Sequence, residues 1–388
     1  MLKKQKEKYT VAFWLLCAAY FALWLSQGMN GSTAAICAHR LGAGEAGRAA
    51  SAALFFAGAA LSRPAAGFFC DRGRSGAAVC AGAGVYLAAE LAAVTAFYMW
   101  EGAAIFVVCR LFQGFGCCAA QTAMLSIAAE RAPGNRTGEG VSLMGLGQAL
   151  AMGMSAALAL GILRLPEGEP KLYLISSACV GACLAMSAVS AAMYSKHNIY
   201  NNVSKNAFPL SLKAVPPALI QTAVGMAGVS CLSYMTVFAP ERGLKAGVFF
   251  AVAAAAMLPS RFGAGKLSAK MGELTLVLPA AGAGAVGLAA LPAARGAALF
   301  VLCAVLYGIG TGVAQPMLNA AAVKMGQRRG AATATFMLGA DVGLMLGAAV
   351  WGGAMKDRGF GFIFIASAVL FALAGVAAAV LNKKKNPT

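Results

Sequence analysis

Charge is scarce in this sequence, and acidic residues and histidine most of all. Of 388 residues, 13 are Asp or Glu, two are His, and charged residues together make 11%. A soluble globular chain carries about 25% charged residues, so a soluble domain of this size could not clothe its surface. The eleven cysteines include no Cys-x-x-Cys spacing and lie almost entirely inside apolar runs, with Cys117 and Cys118 adjacent. That excludes a zinc ribbon or a disulfide framework and leaves them as small packing residues. A phosphate loop is also missing. Gly263-Ala-Gly265-Lys266-Leu267 approaches one, but Ser260 stands where its first glycine belongs and Leu267 where Ser or Thr must hold magnesium. Gly308-x-Gly310-x-Gly312 lies inside an apolar run with no nucleotide fold behind it. Neither a cofactor nor a convergent set of nucleophile, base and metal ligands is expected. A membrane-embedded enzyme or scramblase is therefore a remote alternative, and so is a static scaffold or receptor.

Apolar sequence takes the place of what is missing: 60% of residues are hydrophobic, and mean hydropathy is +0.74. The bilayer is then the main solvent, and the fold class is all-α polytopic membrane protein. Twelve spans of about 25 residues use roughly 300 positions, leaving loops and tails but no extramembrane domain. The spans are expected near 10–36, 46–70, 75–98, 102–130, 138–163, 171–194, 214–239, 245–270, 274–292, 296–323, 330–355 and 360–381. The first follows Lys3–Lys8 but is too long for a signal-peptide core and precedes no convincing cleavage site.

The net charge of +18 invites a nucleic-acid reading, which the placing of the charges removes. With the amino terminus inside, 21 of the 31 Lys and Arg fall on the inner side, Arg63 and Arg261 among them, and nine on the outer. Loops rich in Lys and Arg stay cytoplasmic, so both termini are expected inside a cell membrane, bacterial inner or plasma. His39 and His197 then lie on opposite sides, which excludes a two-histidine metal site. Expected partners are the lipid bilayer, protons and a small-molecule substrate, with no nucleic acid and a monomeric state.

The halves of the chain resemble each other. Phe106-Val-Val-Cys109-Arg110-Leu-Phe-Gln113-Gly114-Phe-Gly116 aligns without gaps to Phe300-Val-Leu-Cys303-Ala304-Val-Leu-Tyr307-Gly308-Ile-Gly310 at an offset of 194. The same offset carries Gln121 onto Gln315, and Gly145, Ala149 and Gly153 onto Gly339, Gly343 and Gly347. Upstream, Ser62-Arg63 with Gly67 matches Ser260-Arg261 with Gly265 at an offset of 198. The polar stretch Lys196–Asn206, followed by Pro209, Pro216 and Pro217, divides residues 1–195 from 214–388, with 196–213 as a cytoplasmic linker. Parallel six-helix repeats imply a pseudo-two-fold axis along the membrane normal and a cavity between the bundles. The small residues of the fifth and eleventh spans read either as a sliding contact within or between bundles or as ordinary close packing.

At these residues the chain resembles the major facilitator superfamily over essentially its whole length. Arg63-Pro64-x-x-Gly67-x-x-x-Asp71-Arg72 resembles the family's signature at the turn between helices 2 and 3. Arg110-x-x-Gln113-Gly114-x-Gly116 resembles a second signature, common in proton-coupled members. Gly73 and Arg74 arrive one residue early, so a tighter turn is expected, and Ala269 replaces Asp71 in the second half. Leu146-Gly147-Gln148 stands where typical drug antiporters have a Gly-Pro pair. The resemblance implies two six-helix bundles, alternating access, and a gating cluster of Arg63, Gly67, Asp71, Arg72, Arg74, Arg261 and Gly265 that favours the outward-open form. Asp71 is expected at the amino-terminal end of the third helix, where the dipole favours a carboxylate, with Arg63, Arg72 and Arg74 around it. The alternative is that these charges only set topology.

Three ionisable residues fall within spans. Arg110 lies nine residues after Glu101, roughly 13 Å below the outer surface by helix rise, where a cation is costly unless paired or hydrated. Glu90 stands at nearly the same depth on the preceding span, so a Glu90–Arg110 pair is geometrically available, static or broken by a proton. Asp341 sits mid-span among glycines. Desolvation disfavours its charge and a nearby cation favours it, so it is the first choice for proton coupling, with a static hydrogen bond as the alternative. Positions 110, 114, 117 and 121 share a helix face, matched by Ala304, Gly308, Thr311, Gln315 and Asn319 on the tenth span. The resemblance places helices 1, 4, 7 and 10 around the cavity, adding Gln27, Asn30, Gln221 and Tyr234 to Arg110, Gln113, Gln121, Tyr307, Gln315 and Asn319. These amides suit a polar or amphipathic organic solute. The expectation is a secondary transporter exporting such a solute in exchange for protons; the alternative is a proton-linked importer of an anionic nutrient.

Overall fold

The computed structural model describes residues 9–99, 102–132, 136–194, 209–326 and 328–385. The expected linker stretch Lys196–Asn206, the amino-terminal lysines and Glu101 lie outside them. Among the described residues twelve helices are long and apolar enough to span a bilayer. They are α1 Val11–Arg40, α2 Glu45–Asp71, α3 Ser75–Ala96, α4 Gly102–Arg131, α5 Thr137–Ile162 and α6 Gly168–Tyr194, then α7 Val215–Glu241, α8 Ala246–Met271, α9 Glu273–Ala290 and α10 Ala297–Met325. Beyond these, a helical run is broken at Gly359 by a left-handed φ of 69°, and its two spans are α11 Arg329–Met355 and α12 Asp357–Lys384.

Local chemistry sets the helix ends. The Thr10 hydroxyl accepts from the Phe13 amide at 3.3 Å and caps α1. Between α2 and α3 only Arg72, Gly73 and Arg74 intervene, with Gly73 at φ 73°, so the tight turn expected from the early glycine is present. Five spans carry an internal proline, Pro64, Pro240, Pro259, Pro279 and Pro316, which membrane helices tolerate when neighbours satisfy the freed backbone. Each span crosses the bilayer once, so an even number of crossings brings Val11 and Lys384 to one side, called here the terminal face.

Packing follows the duplication. The first six helices pack on one another, α4 against α2 and α3, α1 against α5 and α6; in the last six, α10 packs against α8 and α9, and α11 against α7. The offsets read from sequence reappear as contacts. A Cβ on Gly114 would fall on the Phe55 carbonyl, and one on Gly308 would fall on the Ala253 carbonyl. Gly116 lies against Gly82 and Tyr86, and Gly310 against Ala280 and Gly284. In each pair the α4 glycine maps to α10 at 194 and its partner maps at 198, the sequence offsets. The two small-residue stripes do different work. Gly339, Gly343 and Gly347 bring α11 onto the backbone at Ala218, Thr222 and Met226 of α7, within the second half. Gly145 and Gly153 face Arg261 and Ala254 of α8, between the halves.

Because these glycines admit backbone rather than flexible side chains, bulk there cannot be absorbed. Gly114→Leu and Gly308→Leu should each cost about 1–3 kcal/mol by overpacking and lower the melting temperature of the purified protein to similar extents. Gly181→Leu, which meets nothing within 4 Å, should leave it unchanged.

Candidate functional site

Every hydrogen bond and ion pair seen between the two halves among the described residues lies in the part toward the terminal face, and most run to buried arginines or to one acid. Arg63 and Arg261 stand eight and ten residues before the ends of α2 and α8, about 12 and 15 Å into the helices by rise. By sequence both fall among the charges expected on the inner side. They are instead buried inside spans, each 2% exposed.

Arg63 reaches across to α11. Its Nε donates to Asp341 Oδ2 at 3.0 Å and its Nη2 to Asp341 Oδ1 at 3.2 Å, a fork matched to the carboxylate. Its Nη1 donates to Thr122 Oγ1 at 2.9 Å and to the Cys118 carbonyl at 3.2 Å, both on α4. Asp341 thus has a counter-charge on the opposite half. The Arg63 side chain is 2% exposed and that of Asp341 9%, so the acid is the partner nearer to any water.

Asp71 departs from the expected placement. It ends α2 rather than opening α3, and its two oxygens accept from the backbone amides of Gly330 at 2.7 Å and Ala331 at 3.0 Å. Those are orphan donors of the first turn of α11, so Asp71 caps a helix of the other half. Arg328 adds a charge at 3.7 Å. Arg63, Arg72 and Arg74 do not cluster around it as expected: Arg63 is taken by Asp341, Arg72 stacks on Phe68 at 3.8 Å, and Arg74 is exposed at the start of α3. The Gly67 carbonyl presses on Gly330, where a side chain would collide. On the other flank, Gly265 lies against Ser142 and Glu139, and Gly138 against Ser268, but Ala269 stands where Asp71 would be, so the equivalent crossing of α8 and α5 has no counterpart of the Asp71 cap.

Arg261 makes the corresponding reach from α8 into α5. Its Nη1 donates to the Gly145 carbonyl and, at 3.4 Å, to Gln148 Oε1; its Nη2 donates to Gln315 Oε1 of α10 at 3.2 Å. All three acceptors are neutral, and its Nε has no partner. A small cavity of about 20 Å³ lies beside it, lined by Tyr20, Gln148, Gln315 and Asn319 among others.

The remaining candidates separate into internal contacts of each half. Arg110 donates to Gln113 Oε1 at 2.7 Å and to the Ser51 carbonyl at 3.2 Å, with its guanidinium 4.7 Å from the Phe55 ring. It forms no ion pair with Glu90; its partners are Gln113 on its own helix and Ser51 and Phe55 of α2. Glu90 accepts from Asn30 at 2.7 Å, inside a network of Ser26, Asn30, Tyr86 and Ser176 that joins α1, α3 and α6. Gln121 does not share the surroundings of Arg110. It bonds to Gln27 of α1 and to Cys117. Tyr307 donates to the Gly228 carbonyl at 3.5 Å, and Tyr234 lies 6.5 Å from the Phe360 ring. Gln221 and Asn319 are buried, each with an unpaired carbonyl oxygen. Gln315 and Asn319 therefore belong to the cavity beside Arg261, whereas Arg110, Gln113, Asn30 and Glu90 serve contacts within the first half. Tyr20 and Gln148 were not anticipated as lining residues. The available signal was that Gln148, like Arg261, is a polar side chain inside an apolar run.

The family model described as Major Facilitator Superfamily matches residues 16–348. No curated protein matches the chain in sequence. Among solved structures, it is similar to a bacterial homologue of the iron transporter ferroportin in an outward-facing state, at 14% identity and TM-score 0.79, covering 96% of this chain and 100% of that one. It is also similar to the Escherichia coli fucose:proton symporter FucP, at 15% identity and TM-score 0.74, covering 96% and 99%. A third likeness is to the human organic anion transporter MFSD10, at 13% identity and TM-score 0.70, covering 95% and 98%.

Removing one partner of a buried ion pair leaves the other charge unmatched. Asp341→Asn should cost about 3–5 kcal/mol, read as a lower melting temperature in detergent. The double variant Arg63→Met/Asp341→Leu should recover most of that loss, and equal destabilisation of single and double variants would contradict the pairing.

Proposed function

The chain belongs to the Major Facilitator Superfamily, and from that premise we propose that it carries a small organic solute coupled to a proton, with the Arg63–Asp341 pair as the coupling element. It is a transporter rather than an enzyme, and its fold is that of secondary transporters. On this reading residues 1–195 and 214–388 are the moving bundles and 196–213 their linker. The terminal face carries most of the Lys and Arg and is cytoplasmic by the rule for basic loops. With the halves tied at that face, the state described here is the one closed to the cytoplasm.

The observation that carries the proposal is a buried ion pair that bridges the halves. A proton arriving at Asp341 abolishes the attraction to Arg63 and releases one tie between α2 and α11. The cap from Asp71 to α11 sits beyond it at the face and gives way when the helices part. Proton binding and opening of the cytoplasmic face thus become one event, which is the linkage that coupled transport requires.

Export in exchange for protons and import together with them differ in what must open that face. Exchange needs the proton alone to free it. Two buried arginines tie it, however, and only Arg63 has an acid that a proton can discharge. The Arg261 tie stays closed until something else competes for its guanidinium. That requirement for two events favours proton-linked import over export. Either direction makes Asp341 the proton carrier; the Glu90 network and Arg110 are supports within the first half.

Proteoliposomes loaded against labelled sugars and small carboxylates test this. A transported compound should accumulate only when the outside is more acidic, and Asp341→Asn should abolish accumulation while retaining counterflow exchange. Transport indifferent to ΔpH and membrane potential, or concentrative uptake unchanged in Asp341→Asn, would sink the proposal.

A further inference from the structure

The duplication supplies two buried arginines but only one acid. Arg63 and Arg261 correspond at an offset of 198, whereas the offset of 194 that relates α5 to α11 puts Gly147 where Asp341 stands. The first half therefore has no carboxylate to meet Arg261. Its neighbours on α5 offer a backbone carbonyl at Gly145 and an amide oxygen at Gln148, and α10 offers the amide oxygen of Gln315. Arg261 forms no ion pair among the described residues, although it is only 2% exposed. A guanidinium held away from water without a counter-charge is disfavoured unless an anion comes to it.

Three further features point to that anion. The Arg261 Nε–H, buried in the span, has no acceptor. A cavity of about 20 Å³ lies beside it, room for one water-sized group and so for one oxygen of an incoming carboxylate. Its lining comes from both halves: Tyr20 and Gln148 from the first, Arg261, Gln315 and Asn319 from the second. The guanidinium fork matches the two oxygens of a carboxylate, while the side-chain amides of Gln148, Gln315 and Asn319 carry N–H groups able to donate to it.

We infer that Arg261 is the recognition site for a small organic carboxylate, which binds its guanidinium in place of the Gly145, Gln148 and Gln315 oxygens. The carboxylate supplies the counter-charge that the missing acid would have given. Where Asp341 holds Arg63 until it is protonated, the solute's own charge holds Arg261 only while solute is present. This deepens the transport reading by naming the solute class and the second event that frees the cytoplasmic face. It stands apart from the coupling role of Asp341, since binding at Arg261 needs no change at α2 or α11.

The test uses the purified full-length protein and matched probes at constant ionic strength: formate, acetate and benzoate against formamide, acetamide and benzamide. Ligand that binds only the folded state raises the melting temperature. The carboxylates should stabilise in order of increasing apolar bulk, by several degrees for benzoate at saturation, and the neutral amides should do nothing beyond a chloride reference. Arg261→Gln should remove the shift, Arg261→Lys should keep a weakened one, and Gly181→Leu on α6, which meets nothing within 4 Å, should keep it in full. The Trp24 ring lies 6.1 Å from that of Tyr20, so benzoate should also change tryptophan emission in the native chain but not in Trp24→Phe. That signal remains available if Arg261→Gln fails to fold. Equal stabilisation by benzoate and benzamide, a benzoate shift surviving in Arg261→Gln, or no carboxylate response in either measurement would overturn the inference. A response enlarged in Asp341→Asn, where Arg63 has lost its own carboxylate, and kept in Arg261→Gln would move the anion to Arg63 and overturn it likewise.

Discussion

A charge placed in the middle of a bilayer must be matched, and the centre of this molecule is organised by how that is done. Arg63 is matched by Asp341, four donor contacts fixing its guanidinium between α2, α4 and α11. Two charges buried together are costly to desolvate and still costlier to separate. A pair of this kind serves poorly as a general stabiliser and well as a switch, because a single proton removes the reason for it. Its position across the halves, rather than within one, turns a local protonation into a movement of whole helices.

Around that pair the fold supplies stiffness. The glycines of α4 and α10 let backbones touch on α2, α3, α8 and α9, and the repeat of the same contacts in each half makes each bundle a close-packed body. Close-packed bodies shift as units, so motion concentrates where they meet. There close glycine crossings of α2 with α11 and of α5 with α8 are joined by polar ties: the Asp71 cap on α11, the ion pair, the Arg261 reach to α5 and the bond from Arg329 to the Ala129 carbonyl. The polar network of Glu90, Asn30, Tyr86 and Ser176 lies inside the first half, where it binds α1, α3 and α6 to one another.

The two flanks of the interface are copies that have diverged. At α2 and α11 an aspartate caps a helix and another neutralises an arginine. At α5 and α8 the glycines Gly138 and Gly265 and an arginine remain, and both acids are gone. A symmetric scaffold thus yields an asymmetric pair of ties, one sensitive to a proton and one left with an unmatched positive charge. Co-transport follows from that asymmetry more directly than from any single residue.

The sequence by itself determined the number of spans, their approximate ends, the two offsets of the duplication and the family, because apolar length and repeat spacing are properties of the chain read in order. It also picked out Asp341, Arg63, Asp71 and Arg261 as residues of interest, since a charge in or near an apolar run is visible without coordinates. Partnerships it could not determine. Periodicity put Arg110 and Gln121 on one face, yet Arg110 turns to Ser51 and Gln113 while Gln121 turns to Gln27; depth allowed Glu90 to meet Arg110, yet Asn30 holds Glu90. Helix rotation and the approach of distant spans decide which neighbour a long side chain finds. Those depend on packing over some 280 residues of separation, as between Arg63 and Asp341, for which a linear spacing rule has no term.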